Sequence, residues 1–470
     1  MADDFESSIL QPLQQGKMTL ETVDRAEPQR KIIRNEDRYG CWTCRPRFLQ
    51  VFNSIRWHVF WQCVFNFFEG FIVNGVINVV IPSLEKRYEM SSSRSSIIAS
   101  ANDFGALVVL IFISYYGGQR NKPRIMAAGV FLMSLGSLIF SLPQFVGDEY
   151  KYTVSSGTNG TQNLCMSGKG NTSSGACEDG TSNSSGYDGY YACFLIGQAF
   201  LGIGAIPMFT IALTYIDDNC KPKLTSFYIG CTFSSAAVGV AVGYIVGGQT
   251  LSYFVDADKV DISSVPLTPA DPQWVGAWWI GILISFFSFL LIGFPLLGYP
   301  KELPGHDQLQ KLRRSEAHNN DANEMTTRPN FGKSWRDFPK SFYLLVRFGP
   351  STTECVQPKQ RSLAIGVELL VVRLLGTTPG PILLGAIIDS ACSVWQESCG
   401  KTGSCWTYRK FDLGVRLVVW FAAIKLMGAI FAMIAYKVYV PPPVDDDTVV
   451  AVPSVAANVD NSKKDESTRL

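Results

Sequence analysis

Runs of about 20 residues with almost no charge, broken by short charged stretches, constrain this chain more than anything else in it. A helix of that length spans the ~30 Å hydrocarbon core of a bilayer, and there only helices and closed barrels satisfy every peptide group. The runs fall at 57–82, 95–117, 124–144, 191–214, 225–250, 274–298, 362–388 and 414–440, which makes eight spans. The expected fold is an all-α polytopic membrane protein with the lipid bilayer as its first partner. Composition agrees: 17% of the 470 residues are charged and mean hydropathy is +0.12, whereas soluble domains carry about 25% charge. A net charge of +1 and the lack of a basic, aromatic-interleaved patch argue against nucleic acid as a partner.

Orientation follows from two separate signals. The Asn-x-Ser/Thr acceptors Asn159, Asn171 and Asn183 all lie in one Gly/Ser-rich loop, 147–190, and sugar is added on the lumenal side. Basic residues crowd the segments this places inside: Arg45 and Arg47, then Arg120, Lys122 and Arg124, then Lys221 and Lys223, then Lys311 through Lys340. Both termini are expected in the cytoplasm of a multi-pass plasma-membrane protein. The N-terminal segment 1–56 is polar and mixed in charge rather than a signal peptide, so the first span is expected to direct insertion. A basic cytoplasmic linker, 299–361, precedes the last two spans, 362–440, and the polar tail 441–470 is expected to be disordered. Disulfides are permitted on the outer side, where Cys165 and Cys177 share one loop and Cys392, Cys399 and Cys405 another. Their connectivity stays open.

No Ser/His/Asp set, metal cluster or phosphate-cradling glycine loop stands at either face, so the chain reads as no enzyme, with no cofactor and no metal. Cys41 and Cys44 have CxxC spacing, but no second pair follows and the chain has three histidines, which favours acylation over zinc there. What stands out is charge inside apolar runs: Glu69, Asp103, Glu368, Arg373 and Lys425. A charge at the bilayer centre costs about 2.5–3.5 kcal/mol on insertion scales, so it faces the bundle interior or snorkels to the interface. Arg373 suits an anionic substrate, and Lys425 and Glu69 are the next substrate-binding candidates. Asp103 and Glu368 read as partners of cations, and an Arg373–Glu368 pair is the structural alternative. Gly and Ala at small-xxx-small spacing in Gly197–Pro207 and Gly239–Gly248 predict close helix packing.

The segment DPQWVGAWWIGIL, residues 271–283, crowds Trp274, Trp278 and Trp279 at the mouth of the sixth run. An aromatic belt at the outer interface, with ring N–H groups turned to water, is the physical expectation. The segment also resembles the signature of the organic anion transporting polypeptides, D-x-R-W-[IV]-G-A-W-W-x-G-[FL]-L. Asp271, Trp274, Gly276, Trp278, Trp279 and Gly281 match it, while Gln273 replaces the arginine and Ile282 stands for Phe or Leu. SLEKRY (Ser83–Tyr88), GGQRNKPR (Gly117–Arg124) and YIDDN (Tyr215–Asn219) are similar to that family's loops, and QRSLAIG and PGPILLGAIIDSAC to its eleventh helix.

The resemblance implies a major-facilitator-like fold and sodium-independent transport of amphipathic organic anions by alternating access. Conjugated steroids, bile salts, prostanoids and thyroid hormones are such anions. It also places Arg373 at the family's cationic position in helix eleven. Family members have twelve helices. Here an N-terminal six-helix bundle, 57–298, is followed by only two helices of an incomplete second bundle, with a deletion join near 347–348. Both sides of the join are basic and inside, so losing an even number of spans keeps the last two correctly oriented. The alternative function is a non-transporting truncated isoform or a regulatory partner of full-length relatives. Finally, Thr468-Arg469-Leu470 has the form recognised by a PDZ scaffold.

Overall fold

The computed structural model describes residues 38–40, 45–118, 120–150, 183–261, 265–269, 271, 273–306, 309, 361–398 and 401–438. Eight of its helices are long and apolar enough to cross a membrane. They are α1 (Ile55–Arg87), α2 (Ser92–Gly117), α3 (Lys122–Val146), α4 (Asn183–Asn219), α5 (Pro222–Thr250), α6 (Trp279–Leu297), α7 and α8 (Lys410–Val438). The α7 span runs from Arg361–Val372 through a π-helical segment, Arg373–Thr377, to Pro379–Ser390. The chain is therefore an all-helical polytopic membrane protein, as the apolar runs require.

Two boundaries and one added element differ from expectation. The SLEKRY segment continues α1 rather than ending it, with Pro82 inside the helix. Helix α4 begins at Asn183, so the connection from α3 is shorter than 147–190 and the third sequon sits on a helix start. A disulfide-linked β-hairpin, β1 (Cys392–Ser398) paired antiparallel with β2 (Lys401–Tyr408), follows α7, an addition to the all-α expectation.

Helix starts have local causes. Proline, whose missing N–H costs nothing in a first turn, opens α5 and stands in the first turn of α3, where the Asn121 side chain also accepts from the Arg124 N–H. The start of α2 is capped from elsewhere: Asp389, near the end of α7, accepts from the backbone N–H groups of Ser92 (3.2 Å) and Ser93 (2.8 Å).

Close packing explains the glycines. A Cβ on Gly243 of α5 would fall 2.5 Å from the Phe71 carbonyl oxygen and 2.9 Å from the Gly75 Cα of α1. One on Gly204 of α4 would fall 2.4 Å from the Gly129 carbonyl oxygen of α3. Backbones touch there, which only small residues allow, and dispersion between the helices holds them where lipid supplies no hydrophobic drive. Aromatic rings fill the interior of the first six helices, with Phe65, Phe140, Phe194, Phe289 and Trp278 fully buried.

Polar ties close both ends of this bundle. At the end where α1 begins, Tyr39 donates to the Pro295 carbonyl (2.9 Å), Tyr215 to that of Pro300 (3.0 Å), and Lys122 pairs with Asp218. At the opposite end, Lys259 donates to the carbonyls of Gln144 (2.8 Å) and Gly147 (3.0 Å), and Asp256 accepts from the Tyr150 N–H at 2.6 Å. The segment through Arg409 forms one compact unit, and α8 belongs to a second, whose described side chains are almost all exposed.

Candidate functional site

Two helices of the first unit lose their regular hydrogen-bond ladder beside a charged residue. In α1 the π-helical segment Gly70–Val76 starts directly after Glu69, and the Ile77 N–H reaches back five residues to Ile72. In α7 the π-helical segment starts at Arg373, whose carbonyl accepts from the Thr378 N–H at 2.9 Å. Pro379 gives the second break its cause, since its ring lacks an N–H and crowds the carbonyl four residues earlier. The Ser100 hydroxyl of α2 donates to the Thr378 carbonyl at 3.1 Å, so a neighbouring helix takes up the loosened backbone. Single π turns of this kind recur at functional sites because they re-aim a side chain.

Here they aim charge inward. Arg373 pairs with Asp103 of α2, the two side chains 13% and 16% exposed, and Glu69, 8% exposed, lies within electrostatic reach of both. One cation thus faces two carboxylates from three different helices. The Arg373–Glu368 alternative is overturned: Glu368 is exposed, one turn back and on another face of α7, and Asp103 takes the guanidinium instead. Lys425 lies exposed on α8, in the second unit.

The signature residues have a different job. Trp274 donates its ring N–H to the Leu251 carbonyl and Trp279 to that of Val255, each at 2.9 Å. Trp278 is fully buried against Phe194, Phe140 and Tyr88. A Cβ on Gly276 would fall 2.4 Å from the Leu251 carbonyl oxygen, and one on Gly281 would fall 2.8 Å from Val76. The expectation of rings turned to interfacial water is corrected: loop carbonyls after α5 replace water as partners of Trp274 and Trp279, the Trp278 ring N–H is buried with no protein partner, and the regular helix starts only at Trp279. Asp271 accepts from the Thr268 N–H (2.6 Å) and hydroxyl (2.9 Å), which hold its carboxyl below the usual range. The segment pins the α5–α6 connection onto the bundle.

A buried polar stripe on α1, outside the set of charged candidates, joins this region. His58 lies edge-on between Tyr215 and Tyr299, centroids 4.6 and 5.0 Å away, and burial pushes the Tyr299 hydroxyl above the usual phenol range. Gln62 and Asn66 follow at four-residue spacing. That spacing, polar residues every four positions in an apolar run, was the available signal. Of the cysteine candidates, Cys392 and Cys405 are joined, while Cys165, Cys177 and Cys399 lie outside the described residues, as do Asn159, Asn171, Thr468, Leu470 and the 347–348 join. Among the described residues no group of His, Cys, Asp and Glu side chains is arranged to hold a metal ion.

Ionisable side chains buried between broken helices of a multi-span bundle mark a functional position in a membrane protein. The sequence profile of the Organic Anion Transporter Polypeptide (OATP) family matches residues 57–348 and 351–413, and the chain belongs to that family. It is 38% identical over 304 residues to solute carrier organic anion transporter family member 4A1 of Mus musculus, covering 64% of this chain and 40% of that protein. Against member 4C1 of Homo sapiens it is 36% identical over 313 residues, 66% of this chain and 41% of that one. The chain thus spans about two fifths of the length of the curated relatives it matches. Among solved structures, the xylose transporter XylE from E. coli in a partially occluded inward open conformation matches at 15% identity and TM-score 0.37. That match covers 72% of this chain and 71% of the other. A likeness at that level carries no weight of its own.

Proposed function

We propose that this chain binds amphipathic organic anions inside the bilayer, with Arg373 receiving the anionic head, and moves them without sodium by alternating access. The observation that carries this is the Arg373–Asp103 pair. A guanidinium buried between helices needs a counter-charge at all times, and Asp103 supplies it until an anion takes its place. The relatives at 36–38% identity are named as organic anion transporters, which supports the substrate class. Glu69 sits beside the pair, and Lys425, on α8 in the second unit, is proposed as a separate anion-binding candidate. The major-facilitator arrangement, the plasma-membrane location and the cytoplasmic termini belong to the same reading.

The test is binding and uptake of a labelled sulfated steroid by cells expressing this exact chain. Arg373→Lys should keep part of the binding, because the charge stays but the planar donor fork is lost, and Arg373→Ala should lose it. Surface-exposed chain that neither binds nor takes up the steroid would overturn the reading.

A second reading, a non-transporting form that regulates full-length relatives, is favoured by the shortened length and by the split of the family match between 348 and 351. Co-expression with a full-length relative should then change that relative's uptake. No association and no change would remove it.

A further inference from the structure

Along α1, His58, Gln62, Asn66 and Glu69 are 0%, 1%, 3% and 8% exposed. At 3.6 residues per turn the four fall within an arc of roughly 80°, forming one stripe about 16 Å long from the first turn of the helix to the ion pair. Their hydrogen bonds do not balance. Gln62 donates to the Met208 carbonyl (3.1 Å) and Asn66 to that of Thr232 (3.2 Å). The Gln62 Oε1, the Asn66 Oδ1 and both ring nitrogens of His58 have no protein partner. Buried polar atoms are normally paired, so four orphans on one stripe call for an explanation. Successive members are about 6 Å or less apart along the axis, the length of two hydrogen bonds meeting at one water.

Charge gives the stripe a purpose. Glu69 faces Arg373 from α7 and Asp103 from α2, while α5 presents Thr232 and Ala236 to this stretch. His58 faces Tyr215 and Tyr299, with Tyr39 behind Tyr299 and with Asp218 and Glu302 acting on Tyr215. With Glu69, Asp103 and Arg373 all ionised the cluster carries one net negative charge. An arriving anion would add another negative charge in a low-dielectric interior, and one proton placed on Glu69 cancels that addition.

We propose that Glu69 is a proton-binding site that takes up one proton for each organic anion received at Arg373. The His58–Gln62–Asn66 stripe is the route by which that proton exchanges with the end of the bundle where α1 begins. The step forms one O–H bond on the Glu69 carboxylate and breaks one on a hydronium ion, with no other reactant. The stoichiometry rests on the anion-binding reading above, whereas the proton site and its route do not.

The test is infrared spectroscopy of the purified chain in lipid nanodiscs, reading the carbonyl stretch of a protonated carboxyl. The band should grow as pH falls, grow again when a sulfated steroid is added at fixed pH, and vanish in Glu69→Gln. Glu69→Asp, which keeps the acid, should shift the band rather than remove it, separating titration from misfolding. A band retained in full by Glu69→Gln overturns the proton site. His58→Phe keeps the ring and removes both nitrogens, so deuterium exchange of the band should slow roughly tenfold or more. Unchanged exchange overturns the route. If the wild-type band titrates but the steroid does not bind, the anion reading fails and the proton site stands. If the steroid binds Glu69→Gln with unaltered pH dependence, the coupling fails and the anion reading stands.

Discussion

Removing Arg373 should destabilise the chain more than removing its ion-pair partner, and the reason lies in the third group. The pair is 13% and 16% exposed, so solvent screening takes little from it, and breaking a buried pair by deleting one partner costs about 3–5 kcal/mol. Arg373→Ala leaves Asp103 and Glu69 facing each other's charge with their shared cation gone, and the full cost should appear. Asp103→Ala leaves Arg373 with Glu69 still in reach, so the loss should be nearer about 1–3 kcal/mol, the cost of an imperfectly satisfied buried polar group. The double variant strands only Glu69, which protonation can neutralise, so its cost should fall short of the sum of the singles by about 1–3 kcal/mol. Thermal unfolding of the purified chain in nanodiscs, with surface expression measured in parallel, reads all three. Equal losses for the two single variants, or strict additivity in the double, would refute the idea of one cation shared by two carboxylates.

Four other outcomes are expected. Gly243→Val forces a side chain against the α1 backbone and should cost about 1–3 kcal/mol in unfolding, whereas Gly230→Val, which meets nothing within 4 Å, should cost far less. The Asp271 carboxyl is held low by Thr268, so its turn is secure above the ordinary carboxylate range and loosens as pH falls through the lowered value. Amide exchange at Thr268, corrected for intrinsic rate, should rise over that window, and Asp271→Ala should be fast throughout. Deglycosylation should lower the apparent mass of the chain, and replacing Asn159, Asn171 and Asn183 together should abolish the shift. A peptide of the last ten residues should bind a class I PDZ domain, and Leu470→Ala or one added C-terminal residue should end that binding in a polarisation assay.

The spans were legible because length and absence of charge are local properties of sequence, and all eight runs became helices. The charged positions were legible for the same reason, since a charge in an apolar run announces itself. Their partners were not: Asp103 and Arg373 are 270 positions apart, and only the packing of α7 against α2 brings them together. The π-helical turns were hidden too. Pro379 signals a fault in the helix, but whether the fault becomes a kink, a break or a widened turn depends on a neighbour such as Ser100 that accommodates it. The tryptophans misled because an indole at a helix mouth satisfies its N–H equally well with water or with a loop carbonyl. Leu251 and Val255 decided the matter, and no pattern within 271–283 names them.

Asp389 gives the start of α2 an unusual dependence. Most helices carry their cap in the residue before the first turn, so the cap travels with the helix. Here the carboxylate belongs to α7, and Ser92 and Ser93 keep it only while the two helices stay side by side at that end. Sliding or tilting α7 away hands those N–H groups to water and forfeits a cap worth about 0.5–2 kcal/mol, about one to three times thermal energy. The seam is therefore fastened by a clasp, whose hold lasts only as long as α7 and α2 lie side by side at that end.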